Sequence, residues 1–152
     1  ILPEPFPTQM VAQNVGTVWK RTDDIMPLLQ IACLLFSEQF MASHPAAAQG
    51  FVTAYLRSVR DYDDAFVKND PAARAEIVPI LIDTTSLKDP SLYTRMTFPW
   101  YPPDGKQDLA SLKIDQDFFL ASGQQQQPVD LNQLVDTGLI DNAVRELGPY
   151  QQ

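Results

Sequence analysis

Hydrophobic and polar positions along this chain fall into two contrasting runs. From Pro45 to about Lys68, the residues Phe51, Tyr55, Val59, Tyr62 and Phe66 step by four, four, three and four. That spacing predicts one apolar stripe on an α-helix, with Pro45 suited to its first turn. Arg57 with Asp61 and Arg60 with Asp64 stand four apart on the polar side, where each pair adds a few tenths of a kcal/mol. From Leu28 to Phe36, by contrast, every position except Gln30 is apolar, so both faces of the segment are greasy. A central strand covered above and below has that pattern. A buried helix begun by Pro27 is the rival that periodicity alone does not separate from it, and the strand is preferred because both faces of a short span are apolar.

Weaker signals fill in the rest. "TQMVAQN" predicts a short helix ended near Gly16, and "GTVWKR" a short strand. Ser37 caps a short helix after the apolar run. A helix from Pro71 to about Ile82 should turn Ile77, Ile80 and Leu81 inward, and "KDPSLYTRM" reads as a short helix begun by Asp89 and Pro90. Asp108 caps a helix to Leu120 that carries Leu109, Leu112, Phe118 and Phe119, the two rings being read as core. Asp130 opens the last segment, interrupted at Gly138 and closed by Gly148. The prolines at 3, 5 and 7 fix φ and remove backbone donors, so "ILPEPFPTQM" reads as a connecting segment rather than a clean helix start. The prediction is five or more helices and at most two or three strands. The apolar strand would find too few partners within the chain, because a lone hairpin is marginal.

Composition narrows the function. With 45% hydrophobic residues the chain has the make-up of a folded protein. A net charge of −8 repels a phosphate backbone, which argues against nucleic acid as a partner. No apolar run approaches the ~20 residues that cross a bilayer. The single Cys33 lies among apolar neighbours and reads as a small buried side chain. His44 is the only histidine, so Ser-His-Asp, Cys-His and multi-histidine metal arrangements cannot be assembled. The glycines form neither a dinucleotide fingerprint nor a P-loop. Asp61, Asp63 and Asp64, like Asp115 and Asp117, read as solvated faces. Nothing builds an enzyme or calls for a cofactor or metal. Two places could bind: Glu4, Phe6, Thr8 and Gln9 offer a carboxylate, a ring and hydrogen-bonding groups, and "TFPWYPP" offers Trp100 and Tyr101, although packing over the helices is the simpler role for that loop.

Taken in order, "PEPFPTQMVAQNVG", "QIACLLFSEQFMASHPAAAQGFVTAYLRSVRDYDDAF" and "VDLNQLVDTGLIDNAVRELGPY" resemble the C-terminal part of an ABC-transporter substrate-binding protein. The branch is the periplasmic nitrate, sulfonate, taurine and thiamine-precursor group, and the similarity covers nearly the whole chain. The resemblance implies an α/β fold, the type 2 periplasmic-binding-protein (flytrap) fold, of which this chain is the mainly helical C-terminal portion with few strands. Residues 1–27 would form a crossover or hinge segment from the second lobe. Residues 28–152 would belong to the first lobe, whose N-terminal half lies upstream of Ile1. The partners implied are a small-molecule solute, the ABC permease subunits and that upstream lobe, in the periplasm and without catalysis. Glu4, Phe6, Thr8 and Gln9 would contact solute. Glu4 favours a cationic or amine-bearing ligand over an anion, which a facing carboxylate repels. Two rivals stand beside this reading: a relative of the thiamine-pyrimidine synthases, which use histidine and metal, and a self-contained helical interaction module.

Overall fold

A computed structural model describes residues 1–151, and its helices begin where short polar side chains satisfy free amides. The elements are α1 (Phe6–Ala12), α2 (Glu38–Ser43), α3 (Pro45–Phe66), α4 (Pro71–Thr84), a 3₁₀ turn at Leu92–Thr94, α5 (Leu109–Ala121), α6 (Leu131–Leu134) and α7 (Gly138–Leu147). Ser37 accepts from the Phe40 N–H at 3.1 Å, and Asp70 from Ala72 at 2.7 Å and Ala73 at 3.2 Å. Asp108 accepts from the N–H groups of Ala110 (3.0 Å) and Ser111 (3.3 Å), and Asp130 from that of Asn132 (3.0 Å). Asp108→Ala should therefore cost about 1 kcal/mol, read as a lowered urea midpoint with an unchanged slope. Pro7 sits in the first turn of α1, where its missing N–H would have had no intrahelical partner. The helix thus starts among the prolines rather than after them.

No described residue lies in a strand, which overturns the expected α/β flytrap architecture for this chain. Both strand expectations fail. "GTVWKR" and the run from Leu28 to Phe36 are irregular, because a strand is defined by a ladder and no second strand is present to complete one. The rival helix fails as well. Leu28 sits at φ 62°, a left-handed conformation that stops a helix one residue after Pro27. Cys33, expected inside, is exposed, as are its neighbours from Ile31 to Leu35.

The chain divides into two units, each made of two segments: Ile1–Arg21 with Arg57–Pro103, and Thr22–Leu56 with Asp104 onward. In the second unit Val52, Leu56 and Ala143 form the core, with Phe36, Leu139, Ile140, Val144 and Leu147 packed around them. Gly105, at φ +68°, runs against this cluster so closely that a Cβ would overlap the Ile140 side chain. In the first unit Ala65, Phe66 and Tyr93 are buried beneath Tyr62, Ile77, Val78, Leu81, Ile82, Met96 and Phe98.

Three inward assignments shift. On α3 the buried stripe is Ala48, Val52, Leu56, Val59, Asp63 and Phe66, whereas Phe51 is 54% exposed. The apolar face is therefore turned by about one residue in the first half of the helix, where small Ala48 and branched Val52 pack closer than a ring allows. On α4, Ile77 and Leu81 pack inward while Ile80 is exposed. On α5, the residues that disappear from solvent are Ser111 and Gln116, and Phe118 and Phe119 lie outside at 61% and 41% exposure. Gln116 is held by polar bonds, its Oε1 accepting from the Val129 N–H at 2.7 Å and from Gln125 Nε2 at 3.2 Å. A hydrogen-bonded amide has taken the place that the pattern reserved for a phenyl ring.

Candidate functional site

The four residues singled out from the N-terminal segment separate into a bonded pair and a presented pair. Glu4 precedes α1 and is half-buried. Its Oε1 accepts from Thr8 Oγ1 at 3.0 Å and from the Thr97 N–H at 3.4 Å, and its Oε2 accepts from the Thr8 N–H at 3.3 Å. The carboxylate thus closes the first turn of α1 and ties it to the loop after the 3₁₀ turn. Thr97 Oγ1 in turn accepts from the Arg21 guanidinium at 3.3 Å. Phe6 is 54% exposed, and Gln9 is half-buried one turn along the same helix. Glu4 and Thr8 therefore fix the geometry, while the ring of Phe6 and the amide of Gln9 are available for contact. Thr97 was missed by sequence reading because it lies 93 residues from Glu4.

The aromatic loop is pinned to α3 by two side chains of one turn of that helix. Arg60 Nε donates to the Pro103 carbonyl at 2.9 Å, and the Tyr62 hydroxyl donates to the Pro99 carbonyl at 3.0 Å. Phe98 stacks on Phe66 with centroids 4.0 Å apart, and Tyr101 meets Tyr62 edge-on at 5.3 Å. The Arg74 guanidinium lies 5.2 Å from the Phe66 ring centre, a cation–π contact on the same cluster. The loop therefore packs over the helices, with Trp100 left 51% exposed. Burial, and secondarily the neighbouring Tyr101 and Asp63, raise the Tyr62 phenol well above its ordinary range, so Tyr62 is a donor at every physiological pH.

Asp63 is the unexpected member of this unit. It is 2% exposed, and neither carboxylate oxygen completes a regular hydrogen bond. Burial pushes its pKa from 3.8 up to about 6, and the charge of Asp64 adds to the rise. The backbone amide of Tyr101 and the Lys68 ammonium offset part of it. Lys68 is engaged mainly elsewhere, 3.0 Å from Asp64. The signal was present in the sequence: Asp63 lies in phase with Val52, Leu56, Val59 and Phe66. Its charge had placed it outside.

A shallow groove of about 320 Å³ lies in the other unit, lined by Ile25, Met26, Leu29, Asp108, Ser111 and Ile114 among others. Its volume is at the lower end for a small-molecule pocket. The polar groups there are already committed, Asp108 to capping α5 and Ser111 Oγ to the Gln30 N–H at 2.8 Å. None of Glu4, Phe6, Thr8 or Gln9 lines it. His44 follows α2 with its ring 5.6 Å from Phe40, and no group of three or more His, Cys, Asp or Glu among the described residues could hold a metal ion. No helix among the described residues is long and apolar enough to cross a membrane. No protein-family model, curated protein or solved structure matches the chain.

Proposed function

We propose that this chain is the solute-binding component of an ABC importer, which captures a small organic molecule in the periplasm and delivers it to a membrane permease without altering it. The order of "EPF", "SEQF", "HPAAAQGFVTAYLRSVRDY" and "LVDTGLIDNAV" supports the reading. The structural observation that carries it is the bracing of α1. Glu4 is held by Thr8 and Thr97, so Phe6 and Gln9 are presented from a fixed turn, a preorganisation that lowers the cost of binding. Phe6 would stack on the solute and Gln9 would hydrogen-bond to it, with Glu4 and Thr8 setting their positions. The Glu4 charge favours an amine-bearing or cationic solute over nitrate or a sulfonate. The partners in this reading are the solute and the permease subunits.

Calorimetry against nitrate, taurine and an aminopyrimidine tests it. The aminopyrimidine should bind, and Phe6→Ala should weaken that binding by about tenfold or more, the usual loss when an aromatic stacking platform is removed. Glu4→Gln should weaken the aminopyrimidine and leave the anions unaffected. Equal affinity in wild type and Phe6→Ala would remove α1 from the site, and no heat with any solute would overturn the reading. A self-contained helical interaction module is the second reading, favoured by the all-helical structure of the described residues. It is distinguished by a cooperative melt with no response to any of the three solutes.

A further inference from the structure

The segment Gln30–Phe36 in the second unit carries apolar side chains after Gln30, on a backbone whose Ala32 carbonyl accepts from the Gln30 side-chain amide. Among the described residues, none of the N–H groups from Ile31 to Phe36 donates to a protein acceptor; the preceding Gln30 N–H is held by Ser111 at 2.8 Å. Exposure along it is uneven. Ile31 and Leu35 stand out at 77% and 90%, Leu34 is 42% exposed, and Phe36 packs against the core of Val52, Leu56 and Ala143. Only Phe36 therefore leans on its own unit, while Ile31, Ala32, Cys33, Leu34 and Leu35 are all exposed. No charged residue occurs from Ile25 to Ser37, in a chain whose net charge is −8. A seven-residue span that is uncharged, free of proline and glycine, and apolar with unbonded amides from Ile31 onward has the make-up of a strand awaiting a partner.

We infer that this segment is a homodimer interface, in which Gln30–Phe36 pairs antiparallel with the same segment of a second copy. The sequence is self-complementary for that arrangement. A two-fold axis through Cys33 sets Ile31 opposite Leu35 twice, Ala32 opposite Leu34 twice, and Cys33 opposite itself. Each pair joins side chains of the same face, so Ile31 of each copy meets Leu35 of the other and Ala32 meets Leu34. The unpaired amides gain the carbonyl partners that they lack within the chain. Two copies at −8 each repel over much of their surface, and the uncharged stretch from Ile25 to Ser37 is where they can approach without opposing like charges. Cys33 on the axis would lie about 4.5–5.5 Å Cα to Cα from its mate, within disulfide reach.

The inference stands apart from the transport reading, because its test reads mass and cross-linking rather than solute heat. Size-exclusion chromatography with light scattering on the full chain should show a species of twice 17.0 kDa that dissociates on dilution. Mild oxidation should trap it as a disulfide dimer that Cys33→Ser abolishes. The double variant Ile31→Lys/Leu35→Lys opposes like charges twice and should weaken the dimer roughly tenfold. Ile31→Lys/Leu35→Glu opposes unlike charges at the same two places and should restore it. Both sites are exposed, so neither variant disturbs the fold of the single chain. A monomer at every concentration overturns the inference, as it would if the segment served a different polypeptide. A dimer that does not cross-link through Cys33, or one that both charge variants affect equally, also overturns it.

Discussion

Phe66→Ala should cost about 3–5 kcal/mol, the usual loss for a buried ring that leaves a cavity. Phe66 is 6% exposed and is the shared member of the first unit's aromatic cluster. Its ring lies 4.0 Å from that of Phe98 and 5.0 Å from that of Tyr62, and the Arg74 guanidinium sits 5.2 Å above it. Truncation removes contacts from α3, α4 and the aromatic loop together, and leaves Arg74 only the more distant Phe98 ring, 5.9 Å from its guanidinium. The loss should also be local. Hydrogen exchange should speed up in residues 57–66 and 71–84 well before the α7 amides, which belong to the other unit. Exchange that accelerates equally in α7 would show that the two units unfold as one.

Asp63→Asn should stabilise the protein at neutral pH, against the usual direction of core substitutions. The native carboxyl titrates near 6 because it is buried without a full partner, whereas an unfolded aspartate titrates near 3.8. The folded state therefore holds its proton more tightly. The stability linked to that proton is fully present below 3.8, falls as the pH rises toward 6, and is absent above it. Allowing for solvent screening, the loss is about 1–2 kcal/mol. Urea melts across this range should show the wild type losing that amount relative to Asp63→Asn, with the two converging at acid pH. A constant difference at every pH would mean that packing, not charge, separates them. Asp89 offers the opposite case at the surface. The Ser91 hydroxyl and N–H donate to it at 2.9 and 2.8 Å and hold its carboxyl below the usual carboxylate range.

Asp63 also shows how far a hydrophobic pattern reaches. Two stripes can be drawn on α3, one through Phe51, Tyr55 and Tyr62 and one through Val52, Leu56 and Asp63. Ring size and the cost of burying a charge both favour the first. At the start of α3 the second is the buried one, because α7 presents Leu139, Ala143 and Val144 to the branched side chains of Val52 and Leu56, which interlock with them. That choice is made by the neighbour, and no count along α3 contains it. Phe118 and Gln116 on α5 exchange places for a similar reason. Val129 and Gln125 supply the donors that make Gln116 satisfied when buried.

The N-terminal candidates divide along the same line. A carboxylate, a ring and two hydrogen-bonding groups within six residues are legible as a cluster. Thr97 decides that Glu4 is a brace, through a bond across 93 residues that no local pattern encodes.

By itself the sequence determined the local events. Ser37, Asp70, Asp108 and Asp130 start helices because a short side-chain oxygen reaches amides two or three residues ahead. Gly148, at φ 75°, ends the last one because it adopts a left-handed backbone without a Cβ clash. Tertiary structure alone decided what each element faces and whether an apolar run becomes a strand. Residues 28–36 have the composition of sheet interior and form no ladder, because a strand's hydrogen bonds belong to its neighbour and are not written in the segment.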